Sequence, residues 1–284
     1  MNRNIVIPNH KKLEKLKEQI SKEGVEKLHV LADFDRTLTY AFARGEKVPS
    51  IISILRSSGK YLGEDYAKKA LALYEKYHSI EIDPKIPFEE KKKAMYEWWK
   101  THFDLVIRSG LNRNHLDEVV ASGKMKFRQG ALEFFDFLHK HKIPLIIMSA
   151  SGLGGSVIAA LLEKENRLYR NIYIISNSLV WDKNGKAIDI KKPIIHCLNK
   201  DETILKNFPC YKTIKQRKNV LLLGDNLEDV KMIKGFDYDN LIKIGFINED
   251  VEKNLKYYSK VYDALIINDF SMDYINKILK EMIK

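Results

Sequence analysis

A chain of 284 residues with 45% apolar and 31% charged side chains can build one sizeable core plus a smaller inserted or appended unit, and its balance is that of a globular protein rather than a fibrous or disordered one. No apolar run approaches the roughly 20 residues needed to cross a bilayer, the stretch Met1 to Pro8 lacks the pattern of a secretory leader, and two cysteines, Cys197 and Cys210, exclude a disulfide framework and sit at no metal-pair spacing. The formal charge of +11, from 49 Lys and Arg against 38 Asp and Glu, fits a nucleic-acid surface, a field that draws in anionic substrates, or simply a lysine-rich composition; scattered lysines and scarce arginines favour the last.

In chain order, the spacing from Leu13 to Gly24 predicts a surface helix, and Leu28 to Ala32 a buried strand that ends in Asp33-Phe34-Asp35. No comparable strand is expected between Gly45 and Gly123, where helical patterns run over Asp65 to Tyr77, Phe88 to Ile107 and Asn112 to Ala121. This stretch is read as a helical cap inserted after the first strand. Leu145 to Met148, Ile172 to Ile175 and Val220 to Leu223 predict three more strands, ending in Ser149-Ala150-Ser151, Ser176-Asn177 and Gly224-Asp225. Asp182-Lys183-Asn184-Gly185 marks a hairpin turn within Trp181 to Ile190, and Met272 to Ile283 predicts a covering helix.

Strands separated by helices predict an α/β fold, a Rossmann-like parallel-sheet core running from the N-terminus to about Tyr40 and from about Lys124 onward, with residues 41–123 as the cap domain. Such sheets bind ligands at the carboxyl ends of their strands, so polar groups that are distant in sequence converge there. Asp33 and Asp35 leave the first strand together, one able to attack a phosphate ester and the other to transfer protons. Paired anions facing a phosphate call for a hard divalent cation and a further acid. Asp225 supplies that acid, and Asp229, one turn on, is expected to orient the metal shell from behind. Ser149 lies where backbone amides of a helix beginning around Gly152 to Ser156 can meet phosphate oxygens, and Lys200 can neutralise charge on the transferring group. Each feature alone has a plainer reading, as a turn, a helix cap or a solvated charge, and it is their order along the chain that argues for chemistry.

Asp33-Phe34-Asp35-Arg36-Thr37, Ser149, Lys200 and Gly224-Asp225 resemble the four motifs of the haloacid dehalogenase superfamily. Ile80-Glu81-Ile82-Asp83-Pro84, Glu97-Trp98-Trp99, His196-Cys197-Leu198-Asn199-Lys200-Asp201, Leu221-Leu222-Leu223-Gly224-Asp225 and Lys243-Ile244-Gly245-Phe246-Ile247-Asn248 resemble the pyrimidine 5'-nucleotidase family, the cytosolic type III nucleotidases. The resemblance implies a haloacid dehalogenase-type core and magnesium-dependent hydrolysis of nucleoside 5'-monophosphates, UMP and CMP or, in one branch, N7-methyl-GMP. By position it implies Asp33 as nucleophile and metal ligand, Asp35 as proton donor and metal ligand through its backbone, Asp225 as metal ligand, and Ser149, Ala150 and Lys200 as phosphate contacts. It also implies Glu81 as the acid that reads the base, although Glu81 before Asp83-Pro84 reads by itself as a loop charge. Adjacent tryptophans point in different directions on a helix, so one packs inward and the other, taken as Trp98, lines the base pocket; Thr101, or alternatively His102, is expected to reach the sugar or base. The chain departs from the family at Gly155, where an Asp is usual in a shorter loop, at Asn226-Leu227-Glu228, and from Tyr40 to Ser58. The expected partner is a small nucleotide, with no stable nucleic-acid complex, no membrane, a monomeric state and a cytoplasmic location. The rival readings are a related phosphatase of a metabolite such as phosphoserine and, from another class, a basic RNA-binding protein that keeps the fold without the activity.

Overall fold

The computed structural model of the chain describes residues 3–43, 45–57, 59–83, 85–200, 208–234 and 236–283; Pro84 and Asp201 of the motif strings lie outside them. The elements run β1 (Ile5–Val6), α1 (His10–Glu23), β2 (Leu28–Ala32), the short hairpin β3 (Phe42–Ala43) and β4 (Glu46–Lys47), then four helices, α2 (Ile51–Arg56), α3 (Glu64–Ile82), α4 (Phe88–Arg108) and α5 (Arg113–Ala121). They continue with α6 (Ala131–Lys140), β5 (Leu145–Ser149), α7 (Gly155–Lys164), β6 (Ile172–Ser176), the hairpin β7 (Leu179–Trp181) and β8 (Ala187–Ile190), and α8 (Tyr211–Ile214). The last are β9 (Asn219–Gly224), β10 (Asn240–Ile247), α9 (Val251–Tyr258), β11 (Ala264–Ile267) and α10 (Asp273–Met282).

Seven strands form one sheet in the order β1-β11-β10-β9-β2-β5-β6, every neighbouring pair parallel except the edge pair β1 and β11. Both faces are covered, as a parallel sheet requires. Along β2, Leu28, Val30 and Ala32 pack into one core and Leu31 into the other; Leu221 and Leu223 against Val220 and Leu222 repeat this on β9. The first of these cores runs on without a break into the helical insertion, taking in Ile51, Leu55, Tyr66, Phe103 and Val106.

All four expected strands are present, as are the hairpin and the final helix. Asp182 holds the hairpin turn by accepting from the amides of Asn184 and Lys186 through Oδ1 at 2.9 and 2.8 Å, with Gly185 at φ 77°. The strands β1, β10 and β11 were not foreseen. In β10, Lys243 and Gly245 interrupt the apolar run, yet Gly245 is there for packing: a Cβ on it would lie 2.7 Å from the Tyr262 ring.

Between β2 and β5 the insertion leaves and returns on adjacent strips of chain. Thr39 bridges Phe127, the Tyr40 amide donates to Lys126 O at 3.0 Å, and the Arg128 amide donates to Leu38 O at 2.9 Å. Arg128, 1% exposed, crosses this junction. Its guanidinium donates to the carbonyls of Arg36, Thr37, Thr39 and Phe270 and to Asp269 Oδ1 and Asn248 Oδ1 at 2.5 to 3.1 Å. Asp269 in turn accepts from the amides of Ala41 and Phe42 at 3.0 and 2.8 Å. One buried, paired cation therefore ties the turn after β2 and the root of the insertion to the loops after β10 and β11.

Candidate active site

The register places the strand ends side by side: Ala32 pairs with Leu223 on one side and Ile147 on the other, so Asp33 emerges between Gly224-Asp225 and Ser149. The Asp33 amide donates to Leu223 O at 3.0 Å, which fixes the point where the chain leaves the sheet. Asp33, Asp225 and Asp229 each offer a carboxylate oxygen within 4.8 Å of the others. Lys200 reaches into this cluster, contacting Asp33 Oδ1 and donating to Asp229 Oδ1 at 2.9 Å. Distant strand ends thus converge at Asp33, Asp225 and Ser149, and Lys200 joins them from the segment after β8.

Burial pushes the Asp33 carboxyl well above the usual carboxylate range; Lys200 opposes this, while Asp229 and Asp225 add to it. Asp225 is pushed up to about 7 by burial and by Asp229. Burial would lower the Lys200 ammonium, but Asp229 and Asp33 outweigh it and hold it charged. Asp35 is also raised by burial, against the pull of Lys200, Arg36 and a hydrogen bond from the Ile51 amide. A carboxyl held towards its protonated form suits a proton donor.

Asp229 does more than sit behind the others. Its Oδ2 accepts from the amides of Asp225 and Asn226 at 3.1 and 3.0 Å, and its Oδ1 faces Lys200, so it shapes the turn and belongs to the carboxylate cluster itself. From α9 and just beyond it, the Tyr258 and Tyr262 hydroxyls donate to the carbonyls of Asp225 and Asn226 at 2.8 and 2.5 Å. On the other side Asn177, at the end of β6, donates to Ser151 O and Ile195 O at 3.2 and 2.8 Å and accepts from the Ile195 amide at 2.8 Å. It fastens the loop after Ser149 to the segment that carries Lys200. Gly154, at φ 79°, lets this loop approach: a Cβ there would lie 2.6 Å from Asn177 O.

Beside the carboxylates, a cavity of about 170 Å³ opens between the insertion and the core. Ala150 and Cys197 line it from the core, and Glu81, Trp98, Trp99 and His102 from the helices. Glu81 is not a loop residue but sits in the last turn of α3, where both its oxygens are held: the Cys197 thiol donates to Oε1 at 3.0 Å and His78 Nδ1 lies 2.9 Å from Oε2. Both tryptophans line the cavity, stacked at 5.9 Å between ring centroids, so neither is purely core. Positions 98, 99 and 102 share a face of α4; Thr101 is exposed and does not line the cavity. His102 donates from Nε2 to Gly152 O at 3.0 Å, and burial lowers its pKa to about 4, which keeps the ring neutral. Arg128, Asp269 and the two tyrosines escaped sequence reasoning; each acts largely through backbone atoms brought close only by the fold.

The sequence model of the family "Pyrimidine 5'-nucleotidase (UMPH-1)" matches residues 36–283. The chain belongs to this family. It is 35% identical over 263 residues to 7-methylguanosine phosphate-specific 5'-nucleotidase A of Xenopus laevis, covering 92% of this chain and 90% of that one, and 32% identical to the human 7-methylguanosine phosphate-specific 5'-nucleotidase, covering 93% and 87%. The crystal structure of cytosolic 5'-nucleotidase IIIB bound to cytidine superposes with a TM-score of 0.90 at 27% identity, over 99% of this chain and 94% of the other. A substrate-bound phosphoserine phosphatase shares the fold, with a TM-score of 0.52 at 19% identity over 90% and 98%. The chain is therefore a 5'-nucleotidase, a hydrolase acting on a small nucleotide, with an α/β core of the fold that phosphoserine phosphatase also has. Among the described residues no helix is long and apolar enough to cross a membrane.

Proposed function

We propose that this nucleotidase hydrolyses nucleoside 5'-monophosphates in two steps through a phosphoryl group carried on Asp33. The single observation that carries the reading is the meeting of Asp33, Asp225, Asp229 and Lys200 at the carboxyl ends of the central strands. An Asp33 oxygen attacks phosphorus, the bond from phosphorus to the 5'-oxygen breaks, and Asp35 gives its proton to that oxygen. Asp35 then takes a proton from water as the water attacks phosphorus, the bond to Asp33 breaks, and inorganic phosphate leaves. Lys200 offsets charge on Asp33 and on the group in transfer, and Ser149 with the backbone of the Ala150 loop contacts the phosphate oxygens.

Three carboxylates within reach of one point form a hard, anionic donor set, and it fits magnesium. Asp33, Asp225 and Asp229, with the backbone carbonyl of Asp35, would hold the ion. When bound, it supplies charge neutralisation and orientation for the phosphate.

We assign residues 41–123 the part of a cap that closes over the nucleotide and excludes water, with Glu81, Trp98, Trp99 and His102 facing the base. Relatives named for 7-methylguanosine phosphate and a neighbour bound to cytidine support both N7-methyl-GMP and CMP as substrates. The shared chemistry is a flat ring for the indoles to stack on and an N–H donor for Glu81. An aromatic cavity suits phosphoserine poorly, since a small zwitterion has no ring to stack. The unpaired Cys197 and Cys210 support a cytoplasmic setting.

The test is phosphate release from CMP, UMP, N7-methyl-GMP, AMP and phosphoserine with magnesium or EDTA, alongside Asp33→Asn. Metal-dependent turnover of the pyrimidine or methylguanine nucleotides, falling at least about a thousandfold in the variant, is expected for loss of a nucleophile. Turnover confined to phosphoserine, or undiminished in Asp33→Asn, would refute the proposal.

A further inference from the structure

The cavity beneath the cap holds a cation that the steps above leave unused. Arg56, the last residue of α2, lines it together with Glu81. Its guanidinium lies over the Tyr74 ring, 4.0 Å from the centroid, and Nη2 donates to Ser53 Oγ at 3.0 Å. No carboxylate pairs with it among the described residues. A guanidinium carries five N–H donors in a fixed fork, and a half-buried one without an anion needs acceptors to offset its lost hydration. Stacking on Tyr74 fixes the plane of the fork. Glu81 offers the complement: its oxygens are oriented by Cys197 and His78, and a carboxylate oxygen has lone pairs beyond those two contacts. One cavity thus presents a fixed donor set and a fixed acceptor set beside two stacked indoles.

We propose that Arg56 is a base-reading residue that donates to a ring carbonyl oxygen while Glu81 accepts from an N–H group on the same edge, so the site selects bases that carry both. Cytosine, uracil and N7-methylguanine satisfy that rule. Adenine, with an amino group but no carbonyl, does not. The proposal rests on the reading of this cavity as the base pocket, and it adds a contact that neither the nucleophilic chemistry nor the acid Glu81 supplies.

The experiment measures KM and kcat of the full chain for CMP, N7-methyl-GMP and AMP in the parent, Arg56→Gln, Arg56→Lys and Glu81→Ala. Thermal melting confirms that each variant is folded. If AMP turns over too slowly, its inhibition constant against CMP hydrolysis gives the same comparison. A charged hydrogen bond lost from a partly desolvated site predicts a rise of roughly ten- to a hundredfold in KM for CMP and N7-methyl-GMP in Arg56→Gln. The AMP constant should stay within about twofold, and Arg56→Lys should recover part of the loss. An equal rise for all three nucleotides would make Arg56 a phosphate or ribose contact and overturn the proposal, as would no rise at all. If Glu81→Ala erases base preference while Arg56→Gln changes nothing, only the Arg56 assignment falls. If neither variant alters base preference, the pocket reading falls with it.

Discussion

Replacing Lys200 by methionine tests the electrostatics of the site most directly. The side chain is 8% exposed and its ammonium sits against Asp33 and Asp229, both themselves buried. Methionine keeps the apolar stem and removes the charge, leaving three carboxylates within 4.8 Å of one another without the ammonium that contacts two of them. Breaking a buried ion pair by deleting one partner costs about 3–5 kcal/mol, most of it the penalty of the stranded anion. That is a large share of the 5–15 kcal/mol that holds a typical domain folded. The loss should depend on pH, and its sign follows from the raised carboxyls. Unfolded aspartates ionise near pH 4, whereas in the folded site Asp33 is raised and Asp225 titrates at about 7, so between those values the folded state holds more protons and loses stability as pH rises. Without Lys200 both carboxyls rise further, and the deficit of Lys200→Met should be larger at pH 8 than at pH 5. Urea unfolding in EDTA at the two pH values measures it, and added magnesium should restore much of the lost stability at pH 8. Turnover should fall by about a hundred- to a thousandfold, the usual cost of removing one preorganised charge from a transition state. A variant as stable as the parent at pH 8 in EDTA, or one that keeps a third of the activity, would refute this account of the site.

Two further outcomes follow from the geometry. In Gly152→Ala the new methyl lies 2.7 Å from Trp99 Cζ3, 3.0 Å from Ile52 Cγ1 and 3.1 Å from His102 Nε2, so Trp99 has to shift; nucleotide KM should rise about tenfold while kcat changes little, and equal losses in both would contradict a base-side position for Trp99. His29, a buried residue of β2, has Nδ1 donating to Arg217 O at 2.9 Å and Nε2 without a partner, and burial lowers its pKa to about 4. Its folded value lies below the unfolded 6.5, so the stability it secures is present above pH 6.5 and lost as pH falls towards 4, by about 3 kcal/mol; His29→Gln should flatten that part of the urea midpoint against pH, and parallel curves for parent and variant would disprove it.

What could be read from the sequence was whatever a buried parallel strand forces into it. Such a strand shows as an unbroken apolar run, and its end is marked by the first polar residue, which is why the sequence alone puts Asp33, Ser149 and Gly224-Asp225 together. Where tight packing broke the run, as Gly245 does beneath Tyr262, the strand was missed. The helical setting of Glu81, a residue singled out by the resemblance alone, was hidden for a related reason: the turn residues after it look like a loop, while the helix continues to Ile82 and the Lys91 ammonium donates to the Glu81 carbonyl at 2.9 Å. The pocket face of α4 turned on an angle. Positions 99 and 102 share a side that 101 does not, and spacing alone gave no reason to choose His102 over Thr101.

Chemistry and recognition are therefore written into the chain in different ways. Asp33, Ser149 and Asp225, three of the groups proposed to act on the phosphate, lie at strand ends, whose positions the sheet fixes, and a single apolar pattern reveals them. The groups that line the cavity come from α2, α3, α4 and the segment after β8, and they meet only because the core of the insertion is continuous with one face of the sheet. Arg128 shows the physical link between the two. It anchors the carbonyls of Arg36, Thr37 and Thr39, just after Asp33, through the same guanidinium that grips Asp269, and Asp269 holds the amides of Ala41 and Phe42 where the insertion begins. A displacement of the insertion at that root is therefore borne by the turn that carries Asp35, so the closure proposed to bring Glu81 to a base and the placement of the proposed proton donor depend on one buried junction.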